Sequence, residues 1–178
     1  MSFARRQQGV ALITGLIFMV VLTLIAITAA RMAGLEERMS GNMRDRSLAM
    51  QAAEMTLRDA EMDILNSGRI VGLQTFDQTC PNGLCQNGLS GNKNGVDWNI
   101  TPVWSLVNMT AAPSIRYGFF TGATLIAGLP VQPRYIIEGI EKIPPGFESA
   151  VQYYRITVRA QGVNPNTVVW LQEVFLKP

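Results

Sequence analysis

Apolar residues fill the start of the chain without interruption. From Val10 to Ala30 there is no charged side chain. As a helix this run is roughly 32 Å long, enough to cross a bilayer. After Arg31 the pattern becomes periodic. Leu35, Met39, Met43, Met50, Ala53, Leu57, Ala60 and Ile64 recur at helical spacing. Glu36, Glu37, Arg38, Arg44, Asp45, Arg58, Asp59 and Glu61 occupy the other face. No proline occurs between Arg31 and Asn66, and strong helix formers dominate. The pattern therefore predicts one helix from Val10 to about Leu65, roughly 84 Å long. Asn66-Ser67-Gly68 supplies its stop signal. Gly34 and Gly41 each cost about 1 kcal/mol against alanine, so bending or local melting is expected there. The apolar stripe requires a sheet or a neighbouring subunit to pack against.

Beyond the helix the pattern breaks up. Asn82-Gly83, Asn87-Gly88, Ser90-Gly91 and Asn94-Gly95 mark residues 68–110 as turn-rich, with few strands. Trp98, Ile100, Val103, Trp104 and Leu106 are expected to tie this region to the core. Strand patterns follow. Arg134–Glu141 is one, ended by Pro144-Pro145-Gly146. Tyr153–Ala160 alternates, with Tyr154, Ile156, Val158 and Ala160 predicted inward and Arg155, Thr157 and Arg159 outward. Gly162-Val163-Asn164-Pro165-Asn166 turns the chain into a last strand, Thr167–Leu176. The fold class is therefore α+β. A long N-terminal helix packs its distal half on an antiparallel sheet of about three to five strands within residues 130–177.

Composition narrows the chemistry. Of the 178 residues, those after the apolar helix suffice for one globular domain, residues 67–178. A net charge of +2 with no basic run gives nucleic-acid binding little support. The absence of histidine removes the commonest general base and metal ligand. No phosphate loop or metal-spaced cluster is present, so neither a catalytic site, a cofactor nor a metal is expected. Asn92–Asp97 has a single acid and makes a poor calcium loop. Glu54, Asp59, Glu61 and Asp63 crowd one stretch of helix, and with Arg58 placed i+4 from Glu54 they read as a solvated face. Asn99-Ile100-Thr101 and Asn108-Met109-Thr110 match a glycosylation sequon, a pattern common by chance. The helix methionines read as adaptable packing.

The residues before the apolar run leave three readings open. Arg5-Arg6-Gln7-Gln8-Gly9 is short, basic and polar. A secretory signal has a shorter apolar core, although Thr28-Ala29-Ala30 could serve as its cleavage site. A plain single-pass anchor has the same length. Arginines flank both ends, so charge does not decide orientation, and a cytoplasmic N-terminus is favoured by the bulk of chain that follows. In the third reading, residues 1–9 form a leader joined directly to a retained apolar helix. That arrangement resembles the prepilin signal of type IV pilins and type II secretion pseudopilins.

The resemblance narrows further on four blocks. They are Arg6-Gln7-Gln8-Gly9-Val10-Ala11-Leu12-Ile13, Leu35-Glu36-Glu37-Arg38-Met39-Ser40-Gly41-Asn42, Ala49-Met50-Gln51-Ala52-Ala53-Glu54, and Pro133–Glu138 with Tyr154–Thr157. Together they resemble the PilX-type minor pilin family of the type IVa pilus, related in role to GspK-type pseudopilins. The resemblance implies cleavage between Gly9 and Val10 by a prepilin peptidase, methylation of the new amine, and a filament-core helix half over residues 10–30 with an amphipathic half over 31–66. It implies storage in the inner membrane and assembly at the pilus tip. Its implied partners are other minor pilins, the major pilin, a PilY-type tip adhesin and the inner-membrane assembly platform. Its implied processes are pilus initiation, twitching motility and surface attachment.

One position departs from the family pattern. Most pilins carry glutamate as the fifth mature residue, which neutralises the amine of a neighbouring subunit. Here that position is Thr14, and the first acid is Glu36. An unpaired buried charge costs several kcal/mol, so a subunit lacking the glutamate suits the filament tip better than the shaft. Outside the inner membrane, Cys80 and Cys85 are expected to close a small disulfide loop around the Asn82-Gly83 turn. Two alternatives remain: a tip pseudopilin of type II secretion, and a membrane-anchored periplasmic binding or enzymatic domain.

Overall fold

The computed structural model describes residues 8–77, 79–86, 103–105, 107–143, 145–146, 148–149 and 151–177. Helix α1 spans Gln8–Asn66. It runs unbroken through Gly34 and Gly41, so the melting expected at those glycines does not occur. It ends where Ser67 donates from both its amide and its hydroxyl to the Asp63 carbonyl, and Gly68 turns left-handed at φ +70°. The chain divides into two compact units, residues 1–44 and 45–178.

In the first unit, the side chains of α1 from Val10 onward are exposed, including Leu35, Met39 and Met43. In the second unit one face of α1 is buried. Ala49, Ala52, Ala53, Leu57, Ala60 and Ile64 form it. Four of these six are alanines, and small side chains let a sheet approach the helix closely.

The facing sheet has strands β1 (Leu84–Gln86), β2 (Ile115–Arg116), β3 (Arg134–Lys142), β4 (Val151–Gln161) and β5 (Val168–Leu176). Their order is β1-β3-β4-β5, with β2 also paired to β3. The expected α+β arrangement is present, and β3, β4 and β5 follow the expected antiparallel meander. Two features differ from expectation. The sheet is mixed, because β1 runs parallel to β3. Two of its strands also come from before residue 130.

A second core accounts for a further correction. Tyr154, Ile156, Val158 and Ala160 pack toward α1 as predicted, with Tyr135, Ile137 and Val169 beside them. Arg155 and Thr157, predicted outward to solvent, are buried as well. On the sheet face they occupy, Ile136 of β3 and Cys85 of β1 form a second cluster with Cys80 and Met109, and Trp104 and Val107 pack against it. Trp104 packs on Trp170 at 4.9 Å between ring centroids, which ties this layer to β5. Trp98, Ile100 and Leu106, expected to help, lie outside the described residues, as do Arg5, Arg6, Gln7, Asn99, Pro144 and the segment 92–97.

Candidate functional site

Three arrangements in the chain bear on function: the apolar segment, the acids that fix α1 to the sheet domain, and the disulfide-bounded layer.

The apolar segment contains three hydroxyls, and each is satisfied on its own helix. Thr14 Oγ1 donates to the Val10 carbonyl at 2.9 Å and approaches the Ala11 carbonyl at 3.0 Å. Thr23 donates to Val20 and Thr28 to Ile25, both at 2.8 Å. Backbone polarity is met by the helix itself. A segment of this kind suits a medium without water, where any unmet polar group costs several kcal/mol. Gly9 and Val10 both lie inside α1, and Thr14 sits four residues after Val10 with its side chain bent back on the helix. No carboxylate is available at that position.

Of the acids of α1 expected on a solvated face, Glu36, Glu37 and Glu54 are exposed, but Asp59 and Asp63 are buried. Asp59 is 5% exposed and accepts hydrogen bonds from the Gly118 amide, at 2.8 Å, and from the Thr121 hydroxyl. Asp63 is fully buried. It pairs with the Arg69 guanidinium and accepts the Tyr135 hydroxyl at 2.8 Å. Burial, and then the Asp63 charge and hydrogen bond, push the Tyr135 phenol far above its ordinary pKa. Arg69 also donates to the Asn82 carbonyl at 3.1 Å and lies 4.0 Å from the Phe120 ring centroid. Its one side chain therefore joins the end of α1 to two loops. These two aspartates were legible in principle. Both fall on the helical continuation of Ala49, Ala52 and Thr56, the buried face.

Glu61 behaves differently. Arg58 bonds it at 2.6 Å, replacing the expected Glu54–Arg58 pair. Glu61 also shares a hydrogen bond with Glu173 of β5. Burial, then that hydrogen bond and the Glu61 charge, raise the Glu173 pKa. Burial pushes Glu61 upward too, but hydrogen bonds from Arg58 and Glu173 outweigh it and leave the Glu61 pKa lowered.

On the other side of the sheet, Cys80 and Cys85 are joined in a disulfide. They are 1% and 0% exposed. Between them Asn82 and Gly83 both take left-handed backbone, at φ +50° and +69°. A Cβ on Gly83 would also come within 2.7 Å of the Ile115 side chain, so both conformation and space call for glycine. Cys85 stands opposite Glu138 in the parallel register. Glu138 and Arg155 form a buried bidentate pair, with both bonds at 2.6 Å. The signal for that pair was present in the sequence as opposite charges on two neighbouring strands, but their partnership depends on a register no motif announces.

No group of His, Cys, Asp and Glu among the described residues could hold a metal ion. The Asn108 carboxamide accepts from the Thr110 and Ala111 amides and the Thr110 hydroxyl, which makes it a turn cap in its own segment.

The comparisons with known proteins agree with this anatomy. Residues 8–58 match the family model described as PilX N-terminal. Residues 81–177, more than half of the chain, match the model described as type IV pilus assembly protein PilX C-term. No curated protein and no solved structure matches the chain. The apolar start of α1 fits membrane anchoring of such a protein. With both models matched in order along one chain, and with a single apolar helix leading into a sheet domain, this protein belongs to the PilX family of type IV pilus assembly proteins.

Proposed function

We propose that the protein is a minor pilin that helps to start pilus assembly and occupies the pilus tip, in support of twitching motility and surface attachment. Its role is structural rather than enzymatic. It is held in the inner membrane with its N-terminus in the cytoplasm, cleaved between Gly9 and Val10, and then passed to the filament by the assembly platform. Its partners there are other minor pilins, the major pilin and a tip adhesin of the PilY type.

The observation that supports the tip position is Thr14. Its hydroxyl is bonded to the Val10 carbonyl, and no acid occurs between Val10 and Ala30. A subunit without that carboxylate offers no counter-charge to the amine of a subunit packed beside it in an apolar core. The top of the filament lacks that neighbour.

Thr14→Glu tests the reading. Gold-labelled antibody on sheared filaments should mark wild-type protein at filament ends and the variant along shafts as well. Wild-type label spread evenly along the shafts would remove the tip assignment.

A further inference from the structure

Three arginines stand abreast across one end of the sheet. The β2–β3 register places Arg116 opposite Arg134, and the β3–β4 register places Arg134 opposite Arg159. Directly opposed residues project from the same face, on strands about 5 Å apart. Like charges so placed destabilise a sheet. Among the described residues no ion pair offsets them: those present are Arg58–Glu61, Arg69–Asp63 and Arg155–Glu138, and none involves this row.

The row is built rather than loose. Arg134 is half-buried, and its guanidinium donates to the Ser114 hydroxyl at 2.8 Å and to the Ser114 carbonyl. Burial first, and then the charge of Arg116, pull its pKa below the ordinary arginine value. Arg116 is exposed beside it. Both line a cleft of about 570 Å³ together with Phe119 and Phe120. Phe119 is 63% exposed and meets Phe120 edge to face at 4.8 Å. At the other end of the row, Arg159 stands opposite Trp170, which is 42% exposed and backed by Trp104. A line of positive charge with no ion-pair partner among the described residues thus has an exposed aromatic side chain at each end.

We propose that this row docks an acidic segment of another pilus protein, whose carboxylates supply the missing counter-charge and whose apolar side chains lie on Phe119 and Trp170. The inference rests on the assembly role proposed above. Planar guanidiniums match carboxylates in bidentate geometry, and one already held by Ser114 loses little freedom on binding. A nucleic acid is the less fitting occupant. Three cations on a chain of net charge +2 form no track for a phosphate backbone.

The experiment is complementation of a deletion strain, with surface pili quantified after shearing. Arg116→Glu should lower piliation at least about fivefold at normal membrane levels of the protein, and Arg116→Lys should retain it. With Phe119 replaced by p-benzoylphenylalanine, irradiation of intact cells should join the chain to a pilus protein at a segment rich in Asp or Glu. Acid-to-arginine reversal in that segment should restore pili to the Arg116→Glu strain. Full piliation by Arg116→Glu overturns the inference. So does a crosslink to DNA, to lipid or to a segment without acids, and so does failure of the charge reversal to restore pili. A deletion strain with normal pili would instead overturn the assembly role itself.

Discussion

Asp63 shows what a single buried carboxylate does in this fold. It takes two hydrogen bonds from Arg69 and one from Tyr135, and it is fully buried. Asp63→Asn should therefore cost about 3–5 kcal/mol, the usual penalty for leaving one member of a buried ion pair behind. Tyr135→Phe leaves the ion pair intact and should cost about 1 kcal/mol. Urea unfolding of the full chain in detergent, followed by tryptophan fluorescence, separates the two values. Glu173 makes the opposite case. Its folded-state pKa is raised, so its contribution to stability is complete below the pKa of a free glutamate and is lost as pH rises through the folded value. Glu61 has a lowered pKa and contributes above the free value, with loss as pH falls through the folded one. Once pH has risen through the folded value of Glu173, its carboxylate faces that of Glu61. Glu173→Gln keeps a donor for Glu61 and removes the charge. It should raise the melting temperature by a few degrees at most on the alkaline side of the Glu173 titration and change it less on the acid side. An equal change at both would show that repulsion plays no part.

At the scale of elements, the β4–β5 hairpin depends on a residue far away in sequence. Asp45 of α1 accepts the Val163 amide at 2.6 Å and the Asn164 amide at 3.2 Å. A hydrogen bond from the Thr167 side chain first, and then those two amides, hold its pKa below the ordinary aspartate value. The stability this provides is present above the free pKa and fades as pH falls through the lower folded one. Gly162 leaves room for it, since a Cβ there would stand 2.5 Å from the carboxylate. Asp45→Ala should speed hydrogen exchange at the Val163 and Asn164 amides while exchange in β3 stays slow. Uniformly faster exchange would mean that Asp45 supports the whole domain. The two long partners in this contact were legible beforehand, because unbroken periodicity and Gly/Pro punctuation define α1, β4 and β5. The contact itself was not, since an isolated aspartate beside Arg46 has no pattern. The same distinction explains the outer layer. β1 has three residues and no alternation, and the segments that bury Arg155 and Thr157 are irregular. Sequence periodicity therefore could not show that the second face of the sheet has a cover. At the candidate site, Cys80 and Cys85 and the apolar run were readable from spacing and length. The burial of Asp59 and Asp63 was masked by their charge, which outweighed their position on the apolar face.

For the molecule as a whole, the first consequence to check is processing. The proposed cleavage predicts a mature chain beginning at Val10. Gly9→Val should leave precursor in the inner membrane and strip the cell of most surface pili, with N-terminal sequencing as the readout. A wild-type chain beginning at Met1 or Arg31 would sink the prepilin reading. The hydroxyls of Thr14, Thr23 and Thr28 have a broader consequence. Each is closed onto a carbonyl one turn back, so the side chains of the segment offer their surroundings no donor that must be met, and the amine freed at Val10 by the proposed cleavage is a separate matter. Along those side chains, exchanging lipid tails for the apolar flank of another protein breaks no polar bond, and the balance there is left to dispersion and shape. A helix finished in this way suits either medium along its apolar length, and what separates the two settings is packing there and the fate of the charge at its N-terminus.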